Sequence, residues 1–385
     1  MRVALIGTRG VPARYGGFET AVEEIGRRLA DRGHHVQVYC RAEQGEPRLA
    51  EYLGMELIHL PALRRRHLET LAHTALSVVH PSVRGVDAAI VFNAANAPLL
   101  PVLRMRRIPV ATHVDGLEWQ RGKWGPLGRP YYRAAEALSV RWSDLLIADA
   151  KGIADYYTAE FGAPTRQIAY GAPILETPAD DALAAVNLTS GRYHLVVARF
   201  ERENHVLEIV QGHVASKAKL PLVVVGSAPY SDDYTAAIRQ AADDRVRLLG
   251  GVWDQRLLDQ LYQNSLSYLH GHSVGGTNPS LLRAAGAGAF VAAFNVSFNR
   301  EVVGRNGGFW RTPAEVAALL EGAEANPKLC RRLGRQLQQA VTRYNWDDVT
   351  DRYEKLLNDL AAGAYPKRRP SGLRRTAAQA VRSSS

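Results

Sequence analysis

Apolar runs of strand length alternate with helix-length amphipathic stretches through this 385-residue chain, and the alternation occurs twice. The first series of runs is "RVALIG", "HHVQVYC", "MELIHLPAL", "VDAAIVFNAAN", "IPVATHVDG", "LLIADA" and "TRQIAYG". Between the first two, Phe18, Val22, Ile25 and Leu29 recur at helical spacing, so a helix is predicted over 18–31, closed by Gly33. Further helices are predicted near 68–79, in "YYRAAEALSVRWSD" and in "IADYYTAEFG". The polar, small-residue segment "TPADDALAAVNLTSGR" then reads as a linker. After it the strands "YHLVVAR", "LPLVVVGSAP", "RVRLLG", "LSYLHGH" and "AFVAAFN" alternate with helices, one of them capped by Ser231. Strands apolar along their whole length need cover on both faces, which a parallel sheet with flanking helices supplies. A single core seldom grows past roughly 250–300 residues. The fold class expected is therefore α/β, with two open parallel-sheet domains in tandem and ligands beyond the carboxyl ends of the strands.

Composition narrows the classes of function. No apolar run approaches the roughly 20 residues of a membrane span. The N-terminus reads as a first buried strand rather than a signal peptide. Two cysteines, Cys40 and Cys330, make no disulfide framework and suit a reducing cytoplasm. The net charge is +10, and Lys367, Arg368, Arg369, Arg374, Arg375 and Arg382 crowd the end of the chain with no acid among them. Residues 365–385 are expected to be a separate, disordered basic tail, which either touches an anionic membrane surface or only solubilises the protein. The expected location is cytoplasmic, with peripheral attachment at the inner membrane face as the variant. No nucleic-acid partner is expected, because no aromatic platform accompanies the charge.

Four loops carry candidate chemistry. "GTRGVPARYGGFET" joins the first strand to the first helix, and Gly16 and Gly17 allow close backbone approach to a phosphate at the helix start. It matches neither the GxGxxG nor the GxxxxGK[ST] pattern, so ordinary nicotinamide and ATP readings lose ground. Arg9 and Arg14 either bind anions or face solvent, and Glu19 either meets a ligand or caps the helix. "THVDGLEWQRGKWGPLG" gathers His113, Asp115 and Glu118 at a strand end, suited to acceptor binding or acid–base work. Trp119 and Trp124 offer faces for a sugar or lipid, or else pack a domain edge. No third ligand accompanies His113 and Asp115, so no metal is expected. "VVARFEREN" puts Arg199 where it reaches a diphosphate or forms a surface ion pair. "YLHGHSVGGTNPSLL" adds His270, His272 and Ser273, a nest at Gly275 and Gly276, and Thr277 or Asn278 as a helix cap.

Together "GTRGVPARYGGFET", "THVDGLEWQRGKW", "ARFERENH", "VVVGSAPYSDDY" and "HGHSVGGTNPSLL" resemble the family 4 glycosyltransferases. They are most similar to the bacterial rhamnosyltransferase-like subgroup with a DUF1972-type N-terminal domain, over residues 1–358. The resemblance implies a GT-B fold, two Rossmann-like domains with parallel sheets facing across a cleft. It implies an acceptor-binding domain over 1–175, a nucleotide-sugar domain over 190–345, and a helix over 346–364 crossing back to the first. It implies a retaining transfer of a sugar, rhamnose in the subgroup, from a nucleotide diphosphate donor to a glycan or lipid-linked acceptor, with no cofactor and no metal. By position, Gly16 and Gly17 would lie near the donor diphosphate, Asp115 near the transferring sugar, and Arg199 on the diphosphate. Asn204 stands where many relatives carry a lysine. Arg283 stands where the family keeps a glutamate for the donor ribose, and it cannot accept a hydrogen bond. It pairs with the diphosphate, steers a changed donor pose, or marks lost activity. Two alternatives therefore accompany the transferase reading: a noncatalytic nucleotide-sugar or glycan binder, and a nucleotide-sugar epimerase.

Overall fold

A computed structural model describes residues 1–13, 16–42, 48–62, 69–114, 116–120, 128–175, 179–226, 232–365 and 370–375. The chain divides into two compact units, Met1–Tyr170 with Trp346–Ser385, and Gly171–Asn345.

The first unit runs β1 (Arg2–Ile6), α1 (Gly17–Asp31), β2 (His35–Arg41), β3 (Glu51–Tyr52), β4 (Met55–Leu60), α2 (Glu69–Val79), β5 (Ala88–Phe92), α3 (Leu100–Met105), β6 (Val110–Val114), α4 (Gly128–Trp142), β7 (Leu145–Ala148), α5 (Lys151–Phe161) and β8 (Thr165–Gln167). Its sheet has the order β3-β4-β2-β1-β5-β6-β7-β8. Val3 pairs with Val36 on one side and with Ala88 on the other, in parallel. Buried Ile6, Val91, Leu100, Leu103 and Val110 share one core cluster, which is why these strands read as unbroken apolar runs. One edge departs from the all-parallel expectation: β3 pairs antiparallel with β4. Leu53 and Gly54, at φ 49° and 76°, form the two-residue turn that such a hairpin favours.

The second unit runs β9 (His194–Val197), α6 (Val206–Ala215), β10 (Leu222–Val225), α7 (Asp232–Ala241), β11 (Val246–Gly250), α8 (Gln255–Gln263), β12 (Ser267–His270), α9 (Pro279–Gly286), β13 (Val291–Phe294), α10 (Ser297–Val303), β14 (Gly308–Trp310), α11 (Pro313–Ala325) and α12 (Pro327–Ala340). The sheet order is β11-β10-β9-β12-β13-β14, all parallel. Val196, Leu222, Val224, Ile209, Leu269 and Trp310 lie in its main core. A capping box of Thr312 and Glu315 starts α11.

The expected linker is not a spacer. Its described part belongs to the second unit, with a 3₁₀ turn at Asp181–Val186. Gln260 of α8 donates to Asp181 Oδ1 at 2.8 Å and accepts from Ala182 N–H at 2.7 Å, and Leu183 is buried. Polar composition concealed a segment whose polar groups are used internally.

The last helix, α13 (Trp346–Ala361), belongs to the first unit although it follows the second in the chain. It buries Val349, Tyr353, Leu356, Leu357 and Leu360. Its opposite rim is pinned to α1 and the turn after it by Arg28 on Asp347 (2.7 Å), Arg32 on Asp351 and Glu354 (2.7 and 2.6 Å), and His34 on Glu354 (2.7 Å). Residues 370–375, expected to belong to a disordered tail, are docked on α4 and α5 through Arg374. The expected Ser231 cap lies outside the described residues. No described helix is long and apolar enough to cross a membrane.

Candidate functional site

In the first unit the chain leaves β1 in a loop held by its own polar groups. Thr8 Oγ1 accepts from Gly10 N–H at 3.1 Å, Glu19 accepts from Arg9 N–H at 3.1 Å, and Glu23 accepts from Ala13 N–H at 2.6 Å. Burial raises the Glu23 carboxyl above its ordinary range, against the pull of that N–H. Gly16 caps α1 at φ 110°, where an L side chain is strained, and the Glu19 carboxylate occupies the place a Cβ would take. Glu19, read from sequence as an acceptor contact or a helix cap, here braces the loop through Arg9 N–H. Gly17 opens α1.

His113, expected among the acceptor contacts, is fully buried. Phe92, Tyr170 and Tyr353 stack on its ring with centroids at 5.5, 5.8 and 6.5 Å, and Phe18 meets it edge-on at 5.2 Å. Burial pushes its imidazole down to about 3, so the ring is neutral at pH 7. Period-two alternation places a strand-end residue on one face of the sheet, and here that face is covered by α13. This enclosure corrects the reading of His113 as an acceptor-binding or acid–base group. Trp119 is half-buried with the Arg133 guanidinium 5.1 Å from its ring centroid, so one of its faces is already occupied. Glu118 lies beside it in the same 3₁₀ turn, Glu118–Gln120. Asp115, Arg14 and Trp124 lie outside the described residues.

In the second unit the loops after β9, β12 and β13 are laced together. Asn204 is buried and donates to Arg199 O at 2.9 Å. Ser273 donates both its N–H and its hydroxyl to Glu203 O, at 2.9 and 3.1 Å. His205 Nδ1 lies 2.9 Å from Gly271 O, and buried Asn299 donates to His272 O at 2.9 Å. These contacts make Asn204 and Ser273 supports of the loops. Sequence reading did not single out His205 or Asn299, because their roles depend on loops brought together from distant parts of the chain.

The lacing leaves specific groups at the surface of the cluster. Arg199 is exposed at the end of β9. Gly275 sits at φ 134° with no atom within 4 Å of where a Cβ would stand. Among the described residues no hydrogen bond uses the N–H of Gly275 or Gly276. Asn278 caps α9, its side chain accepting from Ser280 N–H at 3.0 Å, while Thr277 is buried. His272 stacks on His270 at 4.4 Å. His270 is buried, which pushes it down to about 3, and Tyr268 OH lies 3.2 Å from its Nδ1. This arrangement can receive an anion on backbone N–H groups and a guanidinium.

Arg283 points elsewhere. Its guanidinium pairs with Asp259 of α8, and Asp259 also accepts from Gln255 at 3.0 Å. Sequence reading missed Asp259, for no local pattern links two residues on successive helices. Among the described residues no group of three or more His, Cys, Asp or Glu is set to hold a metal.

Comparison with known families places both units. Residues 16–171 match the glycosyl transferase 4-like domain, and residues 191–325 match the glycosyl transferases group 1 domain. The two matches cover three quarters of the chain, which belongs to the glycosyltransferases of the GT-B architecture. No match was found among curated protein sequences. Solved structures share the fold at low identity. Sucrose-phosphate synthase from Thermosynechococcus elongatus is 19% identical with a TM-score of 0.80, over 94% of this chain and 99% of that one. HepE from Anabaena in complex with UDP-glucose is 17% identical with a TM-score of 0.75, over 93% and 100%. The UDP-forming α,α-trehalose-phosphate synthase from Burkholderia vietnamiensis is 12% identical with a TM-score of 0.68, over 93% and 100%.

Proposed function

We propose that the protein transfers a sugar from a nucleotide diphosphate donor to a glycan or lipid-linked acceptor, with retention of anomeric configuration. The observation that carries this reading is in the second unit. Exposed Arg199 and two glycine N–H groups without partners among the described residues stand at the carboxyl ends of parallel strands. The family match and the UDP-glucose held by HepE support a nucleotide-sugar as the ligand.

In this reading the bond from the anomeric carbon to the diphosphate oxygen breaks while the acceptor oxygen bonds to that carbon. Arg199 and the N–H groups of Gly275 and Gly276 stabilise the charge that develops on the leaving diphosphate. The acceptor proton passes to a leaving phosphate oxygen, and attack from the same face retains configuration. His272, Thr277 and Asn278 frame the donor, while Asn204 and Ser273 hold the loops that present it. The first unit takes the acceptor. In this reading Gly16 and Gly17 serve the donor diphosphate, Asp115 serves the reacting sugar, and Arg14, Glu118 and Trp119 serve the acceptor. A rhamnosyl donor is part of the proposal through the subgroup resemblance alone. A thermal-shift panel of rhamnosyl, glucosyl and other nucleotide sugars, followed by turnover with lipid-linked glycans, tests it. Release of free nucleotide diphosphate only when acceptor is present is the expected result. Donor isomerisation without acceptor would favour an epimerase.

One observation favours a second reading, a noncatalytic nucleotide-sugar binder. The position expected to carry a ribose-binding carboxylate holds Arg283, already paired with Asp259. Placing glutamate there alone sets two carboxylates together, so the informative variant swaps the pair, D259R/R283E. A gain in turnover would mark the arginine as a lesion, and a loss would mark it as adapted.

A further inference from the structure

The described piece of the basic tail, residues 370–375, is built into the first unit. Arg374 reaches between α4 and α5. Its Nη2 donates to Glu136 at 2.7 Å, and its Nη1 donates to Glu160 and to Tyr156 OH, both at 2.8 Å. The guanidinium lies 4.7 Å from the Phe161 ring centroid. Tyr156 OH donates in turn to Glu136 at 2.9 Å. Two carboxylates, a hydroxyl and an aromatic face match the planar fork of an arginine and not the point charge of a lysine.

The Glu136 side chain is only 4% exposed, and burial raises its carboxyl above the ordinary range against the pull of Arg374 and Tyr156. Burial also opposes the charge on Arg374, but Tyr156, Glu160 and Glu136 together outweigh it and raise the guanidinium pKa. The backbone is seated as well. Arg375 N–H donates to Glu160 O at 2.6 Å. Gly372, at φ 76°, lies so close to α4 that a Cβ would stand 2.5 Å from Ala137 O.

From this socket the contacts run one turn back along α4. Arg374 Nη2 lies 3.4 Å from Arg133 O, and the Arg133 guanidinium covers Trp119. We propose that residues 370–375 are a strap and that Arg374 is a positioning residue: it holds α4 in place and, through Arg133, the Trp119 turn. That the Trp119 turn serves the acceptor rests on the function proposed above; the strap itself does not.

The test uses the full-length protein and the variants R374A, R374K, G372A and E136Q/R374A. Hydrogen exchange should speed up about tenfold in the amides of α4 in both R374A and G372A. The melting temperature should fall by about 5 °C in R374A, because Glu136 loses its counter-ion. R374K should recover part of that fall, and E136Q/R374A should recover part of it without any cation. Acceptor KM should rise several-fold in R374A with donor KM unchanged. Unchanged α4 exchange in both R374A and G372A would overturn the strap. Faster exchange with both KM values moved equally would overturn the positioning role. A wild-type protein that binds donor but transfers to no acceptor counts against the transferase reading, while the exchange data still decide the strap.

Discussion

Arg199 and His113 both end strands, and their surroundings give them opposite parts. Arg199 is exposed just beyond β9, where, on the function proposed above, it meets the departing diphosphate. R199A is expected to lower kcat by about 100-fold, the usual cost of losing one donor to a developing anion. Steady-state release of nucleotide diphosphate checks it. His113 is enclosed by aromatic rings and held neutral by burial, its pKa pushed down to about 3. In the unfolded chain it titrates near 6.5. Its contribution is therefore complete above pH 6.5 and is lost as pH falls from there toward 3, because only the unfolded chain takes up the proton. The loss approaches about 1.4 kcal/mol per pH unit between pH 6 and 4. Denaturant unfolding of wild type and H113L across that range should show the smaller pH slope in H113L. Equal slopes would mean the ring is charged or solvated in the folded state.

At the scale of elements, α13 shows which contacts hold the first unit together. Leu357 is fully buried, whereas the Asp347 side chain that pairs with Arg28 is 69% exposed. L357A should cost about 2–5 kcal/mol through lost burial and a residual cavity. D347A should cost under about 1 kcal/mol, since an exposed ion pair gains little over solvation. Chemical denaturation separates the two, and a larger loss in D347A would refute this ordering. The strand–helix alternation was legible because the central parallel strands, such as β1, β5 and β6, are buried on both faces while helices such as α1 bury one face. The β3–β4 hairpin was not legible, since two paired residues leave no periodic signal. The Asp181–Val186 turn was hidden by its polar composition, although Asp181 bonds to Gln260 of α8.

At the scale of the whole molecule, the second unit is contiguous in sequence and the first is not. A fragment spanning 171–345 carries a complete six-stranded sheet with its own core and should unfold cooperatively by itself. A fragment spanning 1–170 lacks α13 and leaves uncovered the apolar face that Leu356, Leu357 and Leu360 bury. It should be unstable or self-associating until a peptide carrying 346–361 is added. Circular dichroism melts and gel filtration check both expectations. Cooperative folding of 1–170 without the peptide would show that α13 is an accessory.

The sequence alone determined two tandem parallel sheets, because a strand buried on both faces must be apolar along its length and no other partner suits it. It also located the glycine loops and Arg199 at strand ends, for turn geometry and strand termini are local properties. Only the tertiary structure decided what each polar side chain faces. It enclosed His113 in aromatic rings, turned Asn204 and Ser273 to backbone carbonyls, paired Arg283 with Asp259, and seated Arg374 on Glu136. Those outcomes depend on residues far apart in the chain, where burial and an opposing charge are set by packing and have no counterpart in local spacing.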